Sequence, residues 1–490
     1  MGNKGSNSSL SDIFSGYSDD ENIEIIQEET KVSVAATSNP QRLQLSMKAA
    51  LSYLQLNSSA AQELPCSFSM QALESSPTEG GVRQGIDIVC VIDVSGSMQG
   101  DKIELTKKTL EFMVGKLEPK DRMSLVLFSS EVRRILPLIK MTEVGKQRAL
   151  SKIAEIHAGG GTELVEGLDH GLKVIEDRRI VNQITSIILL TDGQDNNGST
   201  ALDRAKLRVD SAKTKNYSIH TFGYGSDHDA KLLNAISEWR NGGFYYIEKN
   251  DSIPMAFSNC LGELMSTVAD QIQVRFQTQA ADIPFALTKV YSESGDSVFS
   301  MPPVLTGDKK EAIFVLNFPP CQQQVPEGHS ISPVKGFITY KQIQTGETVE
   351  EECTINIPIF NESAQIDSIE LDEDVMVNFY RVKAAAILKE AAEFGERSDM
   401  EGARNLLQRG ADELRNSVVA GNEIVKLLIS DLDGAKARFV DYQAYEYGGR
   451  AEIKSKARGH WNKRAQNAEC YMNSCQKAMN FSSQEHFSKN

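Results

Sequence analysis

The stretch Ile88-Val89-Cys90-Val91-Ile92-Asp93-Val94-Ser95-Gly96-Ser97-Met98 runs from an apolar segment straight into a loop bearing one carboxylate and two hydroxyls. Ser95 and Ser97 alternate after Asp93, and Gly96 lets the backbone turn sharply between them. Only oxygen is on offer. That suits a hard cation such as Mg²⁺, which takes about six oxygens in octahedral array, some of them from water. Three residues on one loop cannot fill such a shell, and two other loops offer more. Thr162 closes Gly159-Gly160-Gly161-Thr162 just ahead of an expected helix, and Asp192 follows an apolar run in Leu189-Leu190-Thr191-Asp192-Gly193. Together Asp93, Ser95, Ser97, Thr162 and Asp192 supply two carboxylates and three hydroxyls. Two carboxylates formally neutralise a divalent ion and hydroxyls add no charge, so a vacant coordination position can take an Asp or Glu from a protein partner. Mg²⁺ is favoured, and Mn²⁺ or Ca²⁺ can replace it. One alternative is a structural or assembly protein whose ion merely rigidifies three loops. Another is a metal-dependent hydrolase using a bound water. Against the latter, no general base stands out beside the five residues and no Walker-type glycine pattern occurs, so no catalytic residues are assigned and the chain is not expected to be an enzyme.

Such a site needs elements that bring distant loops to one edge. Over residues 83–268, short apolar runs (Ile86–Ile92, Ser124–Phe128, Ser186–Leu190, Ile219–Phe222) alternate with helical patterns (Asp101–Leu117, Val144–Ile156, Glu163–Glu176, Leu202–Lys213, Ala230–Trp239). This alternation predicts an open, mostly parallel sheet covered by helices, with ligands at the carboxyl ends of the strands. Val132–Leu138 follows its predecessor after only Ser129-Ser130-Glu131, which fits a hairpin and one antiparallel strand.

These residues resemble the metal-ion-dependent adhesion site of von Willebrand factor A domains: D-x-S-x-S, then a Thr, then a strand-end Asp. All five positions are filled, and the resemblance covers about residues 83–268. It implies a doubly wound, Rossmann-like α/β domain. It also implies that Ser95 and Ser97 touch the metal directly, that Thr162 does so in the ligand-bound form, and that Asp93 and Asp192 often act through water. Asp195, on the same loop as Asp192, is read as a turn former that can also hold water or a ligand. His157, His170, His220 and His228 share no ligand spacing and are read as structural or surface residues.

On either side of that domain, residues 40–82 and 269–365 carry period-two stretches separated by Gly and Pro, read as one discontinuous β-sandwich. Its later strands are expected at Ile272–Phe276, Val290–Ser292, Ala312–Phe318, Val334–Tyr340 and Cys353–Ile359. Residues 370–480 show helical stripes, one running from Met400 through Leu414 to Val418, and suit an antiparallel bundle. This tail is similar to the module that accompanies the A domain in intracellular proteins. Some of those also carry a RING domain or a self-splicing module, neither of which is visible here. The basic residues Arg450, Lys454, Lys456, Arg458, Lys463 and Arg464 are expected on a solvated helix face, with a patch for an acidic partner as the alternative.

The 490-residue chain has a formal net charge of -15, which argues against nucleic acid as a partner. Seven scattered cysteines without a paired motif point to reduced thiols and a cytoplasmic setting. No apolar run reaches the length of about 18 residues that a membrane span needs. Residues 1–38 read as a disordered tail. Within them Met1-Gly2-Asn3-Lys4-Gly5-Ser6 fits the N-myristoylation pattern, making Gly2 a lipidation candidate. One acyl chain beside an acidic segment supports at most weak, reversible contact with the cytoplasmic face of a membrane.

Overall fold

The computed structural model describes residues 42–73, 83–225, 228–249, 252–292, 298–364, 370–465 and 469–489. The expected disordered tail, with Gly2, lies outside the described residues. Those residues form two compact units. The first holds Gly85–Leu190 and Gln194–Tyr217, and the second holds the rest, including Thr191–Gly193.

In the first unit, β1 (Ile86–Asp93) is buried at every position, as a strand covered on both faces must be. β2 (Arg122–Phe128) pairs with it in parallel, and β3 (Val132–Lys140) returns antiparallel to β2 through the expected hairpin. β4 (Ile184–Thr191) lies parallel on the other side of β1, with Leu190 opposite Ile92. Four helices accompany these strands: α1 (Asp101–Lys116), α2 (Glu143–Ala154), α3 (Leu164–Asp177) and α4 (Ala201–Asp210). α1 buries Ile103, Thr106, Leu110, Met113 and Val114, the stripe legible in its sequence. α3 lies close on the sheet because Gly167 and Gly171 face it. A Cβ at Gly171 would come within 2.6 Å of Val91, and one at Gly167 within 2.8 Å of the Phe128 ring. The arrangement is a Rossmann-like α/β fold with a largely parallel sheet.

At the amino end of β1, Asp87 is fully buried between two arginines. Arg122 Nε and Nη2 donate to its two carboxylate oxygens at 2.8 and 2.7 Å, and Arg178 Nη1 donates at 2.9 Å. Asn182 Nδ2 adds a bond at 2.8 Å. At about 3.3 Å per residue this cluster lies ~20 Å along the strand from Asp93, so it anchors the sheet and has no direct part in the site.

In the second unit, β5 (Ser218–Tyr224) and β6 (Phe244–Ile247) pair in parallel, and α5 (Ala230–Trp239) and α6 (Ile253–Ser266) accompany them. A β-sandwich follows. Its first sheet joins the early strands Gln44–Ala49 and Gln62–Gln71 to the late strands Lys309–Phe318 and Ala286–Tyr291. Its second sheet is built on Thr267–Thr278, flanked by Val298–Met301 and Val334–Gln342. Phe68 and Met70 from one sheet meet Ile272, Val274, Phe299, Ile338 and Tyr340 from the other in a single core. The stretch expected as one strand, Cys353–Ile359, is two: Thr348–Thr354 and Ile357–Phe360 belong to different sheets. The chain crosses between them so that Ile355 and Ile357 enter one core.

The helical region comprises α7 (Glu373–Glu396), α8 (Met400–Arg415), α9 (Glu423–Ala437), α10 (Arg450–Asn462) and α11 (Ser474–Lys489). The stripe expected to reach Val418 stops earlier: α8 ends at Arg415, and Val418 is 75% exposed in the following turn. The solvated basic face is also corrected. α10 buries Ala451, Ile453, Ser455, Ala457 and Arg458, and its cations are spent internally. Arg458 donates to the Gly242 carbonyl, Lys456 pairs with Asp431 and Glu452, and beyond the helix Lys463 pairs with Glu311 and Arg464 with Glu263. No described helix is long and apolar enough to cross a membrane.

Removing the carboxylate at Asp87 leaves two buried arginines facing each other. The substitution Asp87→Ala is expected to destabilise the chain by about 3–5 kcal/mol, read as a shift in the urea unfolding midpoint.

Candidate functional site

The parallel register delivers the loops to one edge. Asp93 pairs with Phe128 at the end of β1, and the Val94 N–H donates to the Phe128 carbonyl at 2.9 Å. The loop then turns on its own polar atoms. The Ser95 N–H donates to Asp93 Oδ1 at 2.8 Å, and the Ser95 and Ser97 hydroxyl oxygens stand 3.0 Å apart. Asp93 and Ser95 are buried, whereas Ser97 is exposed. Met98, fully buried, holds the loop down from beneath.

Backbone bonds fasten the glycine loop to this one. The Gly159 N–H donates to the Val94 carbonyl at 2.7 Å, and the Gly96 N–H donates to the Gly160 carbonyl at 3.0 Å. Gly160 has φ +91°, a conformation that favours glycine. A Cβ at Gly161 would lie 2.8 Å from Asn196 Nδ2, so a side chain there would push the loops apart. Thr162, 8% exposed, is thereby set beside the turn that carries Ser95 and Ser97.

The third loop is sewn to Thr162 from both sides. The Asn196 N–H donates to the Thr162 carbonyl at 2.8 Å, and the Thr162 N–H donates to Asn196 Oδ1 at 3.2 Å. Asn196 Nδ2 and Asn197 Nδ2 each donate to the Glu163 carboxylate at 3.1 Å. Asp195, buried, accepts from the Val165 N–H at 2.9 Å and from the Asn197 N–H at 2.8 Å, fixing the start of α3 to this loop. The hairpin between β2 and β3 supports the same segment: Ser130 Oγ accepts from the Gly161 N–H at 2.7 Å, and the Ser129 carbonyl accepts from the Glu163 N–H at 2.9 Å.

The structure thus brings Asp93, Ser95, Ser97 and Thr162 together on two interlocked loops. Asp192 is the residue immediately after β4, is 2% exposed, and belongs to the stretch Thr191–Gly193 of the second unit. Reading the sequence missed two contributors, Asn196 and Glu163, and understated a third. Asp195, read as a turn former that can also hold water or a ligand, uses its carboxylate to join two elements. Asn196 and Glu163 gave no periodic or motif signal at all. His228, read from the sequence as a structural or surface residue, is buried. Burial lowers its imidazole pKa, and the Asp192 charge acts in the opposite direction. Its Nε2 has no hydrogen-bond partner among the described residues.

The donor set is all oxygen and fits a hard divalent cation; no described cysteine or imidazole is interleaved with the four residues on the two loops.

Comparison with known proteins identifies the α/β domain that carries these loops. Residues 87–258 match the family model for the von Willebrand factor type A domain. The E3 ubiquitin-protein ligase WAV3 of Arabidopsis thaliana is 25% identical over 379 residues, covering 74% of this chain and 47% of that protein. This chain therefore spans about half the length of that relative. The inter-alpha-trypsin inhibitor heavy chain H4 of Sus scrofa is 33% identical over 162 residues, 32% of this chain and 17% of that protein. Among solved structures, a von Willebrand factor type A protein from Catenulispora acidiphila superposes with TM-score 0.55 at 17% identity, covering 81% of this chain and 91% of its own. The ArnB paralog VWA2 from Sulfolobus acidocaldarius gives 0.54 at 16% identity, covering 87% and 99%. These two share the fold.

Replacing Asp195 by Ala removes the acceptor for two loop amides. The expected cost is about 1 kcal/mol of stability, with faster hydrogen–deuterium exchange at Val165 and Asn197; unchanged exchange there would mean that the carboxylate does not hold the loops together.

Proposed function

We propose that this chain, which carries a von Willebrand factor type A domain across residues 87–258, binds a protein partner through a divalent cation. Asp93, Ser95, Ser97, Thr162 and Asp192 would hold the ion, and an Asp or Glu side chain of the partner would complete its shell. The observation that carries this reading is the interlocking of two oxygen-bearing loops by backbone bonds, Gly159 to Val94 and Gly96 to Gly160. Main-chain bonds between the loops hold the oxygen-bearing residues of both loops close to one another. When bound, the ion would supply a Lewis-acidic position for an external carboxylate. Mg²⁺ is the favoured ion on oxygen ligation, with Mn²⁺ or Ca²⁺ as substitutes.

The relatives named as ubiquitin ligases favour a second reading, in which the A domain presents a bound protein for ubiquitin transfer carried out by another component. Among the described residues, Glu166, Asp169 and His170 form the one group of three or more His, Cys, Asp or Glu side chains close enough to share an ion, and it contains no cysteine. Asp169 is already paired with Lys173 at 2.7 Å. Seven free cysteines support a reducing, cytoplasmic setting, and the Gly2 pattern supports weak, reversible attachment of the same molecule to a membrane surface.

Titration of Mn²⁺ into the metal-stripped full chain, followed by electron paramagnetic resonance, should show one site. Asp93→Ala and Ser97→Ala should each weaken it by about tenfold or more while circular dichroism stays unchanged. Partner capture should be lost with EDTA and restored by Mg²⁺. Mn²⁺ affinity that ignores both substitutions would sink the proposal.

A further inference from the structure

Within the second unit α11 packs along α6, the helix that leads into the sandwich strand Thr267–Thr278. Its buried positions Gln476, Met479, Asn480 and Ser483 fall at i, i+3, i+4 and i+7, which is one face of a helix. Three of the four are polar, while Phe481 on the same helix is 64% exposed. The facing helix answers in kind. Ser258, Asn259 and Ser266 of α6 are buried, with Gly262 among them. A Cβ at Gly262 would come within 3.0 Å of Gln476 Cα, so the two backbones meet closely there.

Part of this polar interface is hydrogen-bonded. Gln476 Nε2 donates to the Asn259 carbonyl at 3.1 Å, and Asn480 Nδ2 donates to Asn259 Oδ1 at 2.7 Å. Asn473, just ahead of α11, donates from Nδ2 to Ser266 Oγ at 3.0 Å. Such bonds replace bonds to water, so their net gain is small. The rest of the interface gains nothing. Ser258 Oγ, Asn480 Oδ1 and Ser483 Oγ are buried with no hydrogen-bond partner among the described residues. Each gives up water when α11 docks and receives no bond in return. Met479 is the apolar member of the stripe, whereas α8 in the same unit buries Ala403, Leu407, Ala411 and Leu414. α6 has an anchorage that α11 does not share: Phe257 stacks on Phe222 of β5 at 4.3 Å, and Ile253, Leu261 and Leu264 are buried.

We propose that α11 is a detachable strap, which leaves α6 and returns while α6 and the rest of the chain stay folded. Undocking gives three orphaned polar atoms back to water and uncovers α6 at Asn259 and Gly262. Docking is specified by the close approach at Gly262 and by the Asn259 bonds, so the strap returns to one register. The device involves neither the oxygen cluster at Asp93 nor a metal.

Native-state hydrogen–deuterium exchange of the full chain tests it. Amides of α11 should exchange at least about a hundredfold faster than those of the strand Lys309–Phe318. Gly262→Leu should drive the strap off, raising exchange in α11 by a further factor of about ten, while the urea midpoint of the chain stays at the wild-type value. Ser258→Ala removes an orphaned oxygen from the docked state without altering the helix propensity of α11. It should slow exchange in α11 about threefold. Equal protection of α11 and Lys309–Phe318, a lowered urea midpoint in Gly262→Leu, or faster α11 exchange in Ser258→Ala would each overturn the proposal.

Discussion

Parallel hydrogen bonding around β1 is the constraint from which the candidate site follows. Because β2 and β4 run in the same direction as β1, with Asp93 opposite Phe128 and Ile92 opposite Leu190, the loops that follow these strands leave from one edge. An antiparallel partner in either place would send the following loop to the opposite end of the sheet, ~20 Å away at about 3.3 Å per residue. Register alone gives proximity, and the loops are then locked by main-chain bonds. Gly159 to Val94, Gly96 to Gly160, and the reciprocal pair between Asn196 and Thr162 tie three segments into one body. The glycines on α3 contribute at a distance. Without the close approach at Gly167 and Gly171, α3 would stand farther from the sheet and draw Thr162 away with it.

Charge is used in two different ways in this chain. Asp87 with Arg122 and Arg178, Lys456 of α10 with Asp431, and Arg464 just beyond α10 with Glu263 are ion pairs whose bonds are spent on holding elements in place. Such buried pairs cost a good deal to desolvate and are damaging to break, which suits them to fixing an arrangement more than to adding stability. At the carboxyl edge of the sheet the polar atoms are gathered on loops, around an exposed Ser97. The contrast between a buried ion-paired network at one end of β1 and a collection of oxygens on loops at the other separates scaffold from candidate site.

Much of this was legible without coordinates. The buried strands stand out as unbroken apolar runs, and the helices as stripes at helical spacing. The candidate donors stand out because Asp93 and Asp192 follow apolar runs, Ser95 and Ser97 alternate just after Asp93, and Thr162 precedes a helix. The hairpin followed from a three-residue link. These are local signals, carried by neighbours in the chain, and solvent exclusion from a strand or a helix face imposes them wherever the chain folds.

What tertiary structure decided lies in contacts between residues far apart in sequence. Asp195 reads as a turn former until Val165 is brought to it, and Asn196 has no signature until it clasps Thr162. The basic run at α10 looks like a solvated face because sequence shows its charges and not the carboxylates at 263, 311 and 431 that neutralise them. The polar stripe of Gln476, Asn480 and Ser483 is half of an interface between two helices, and α11 alone does not show what it faces. Sequence alone determined the elements and the candidate donors, because burial writes a periodic pattern along the chain. Only the fold determined which polar groups meet which, because that depends on partners the chain does not place side by side until it folds.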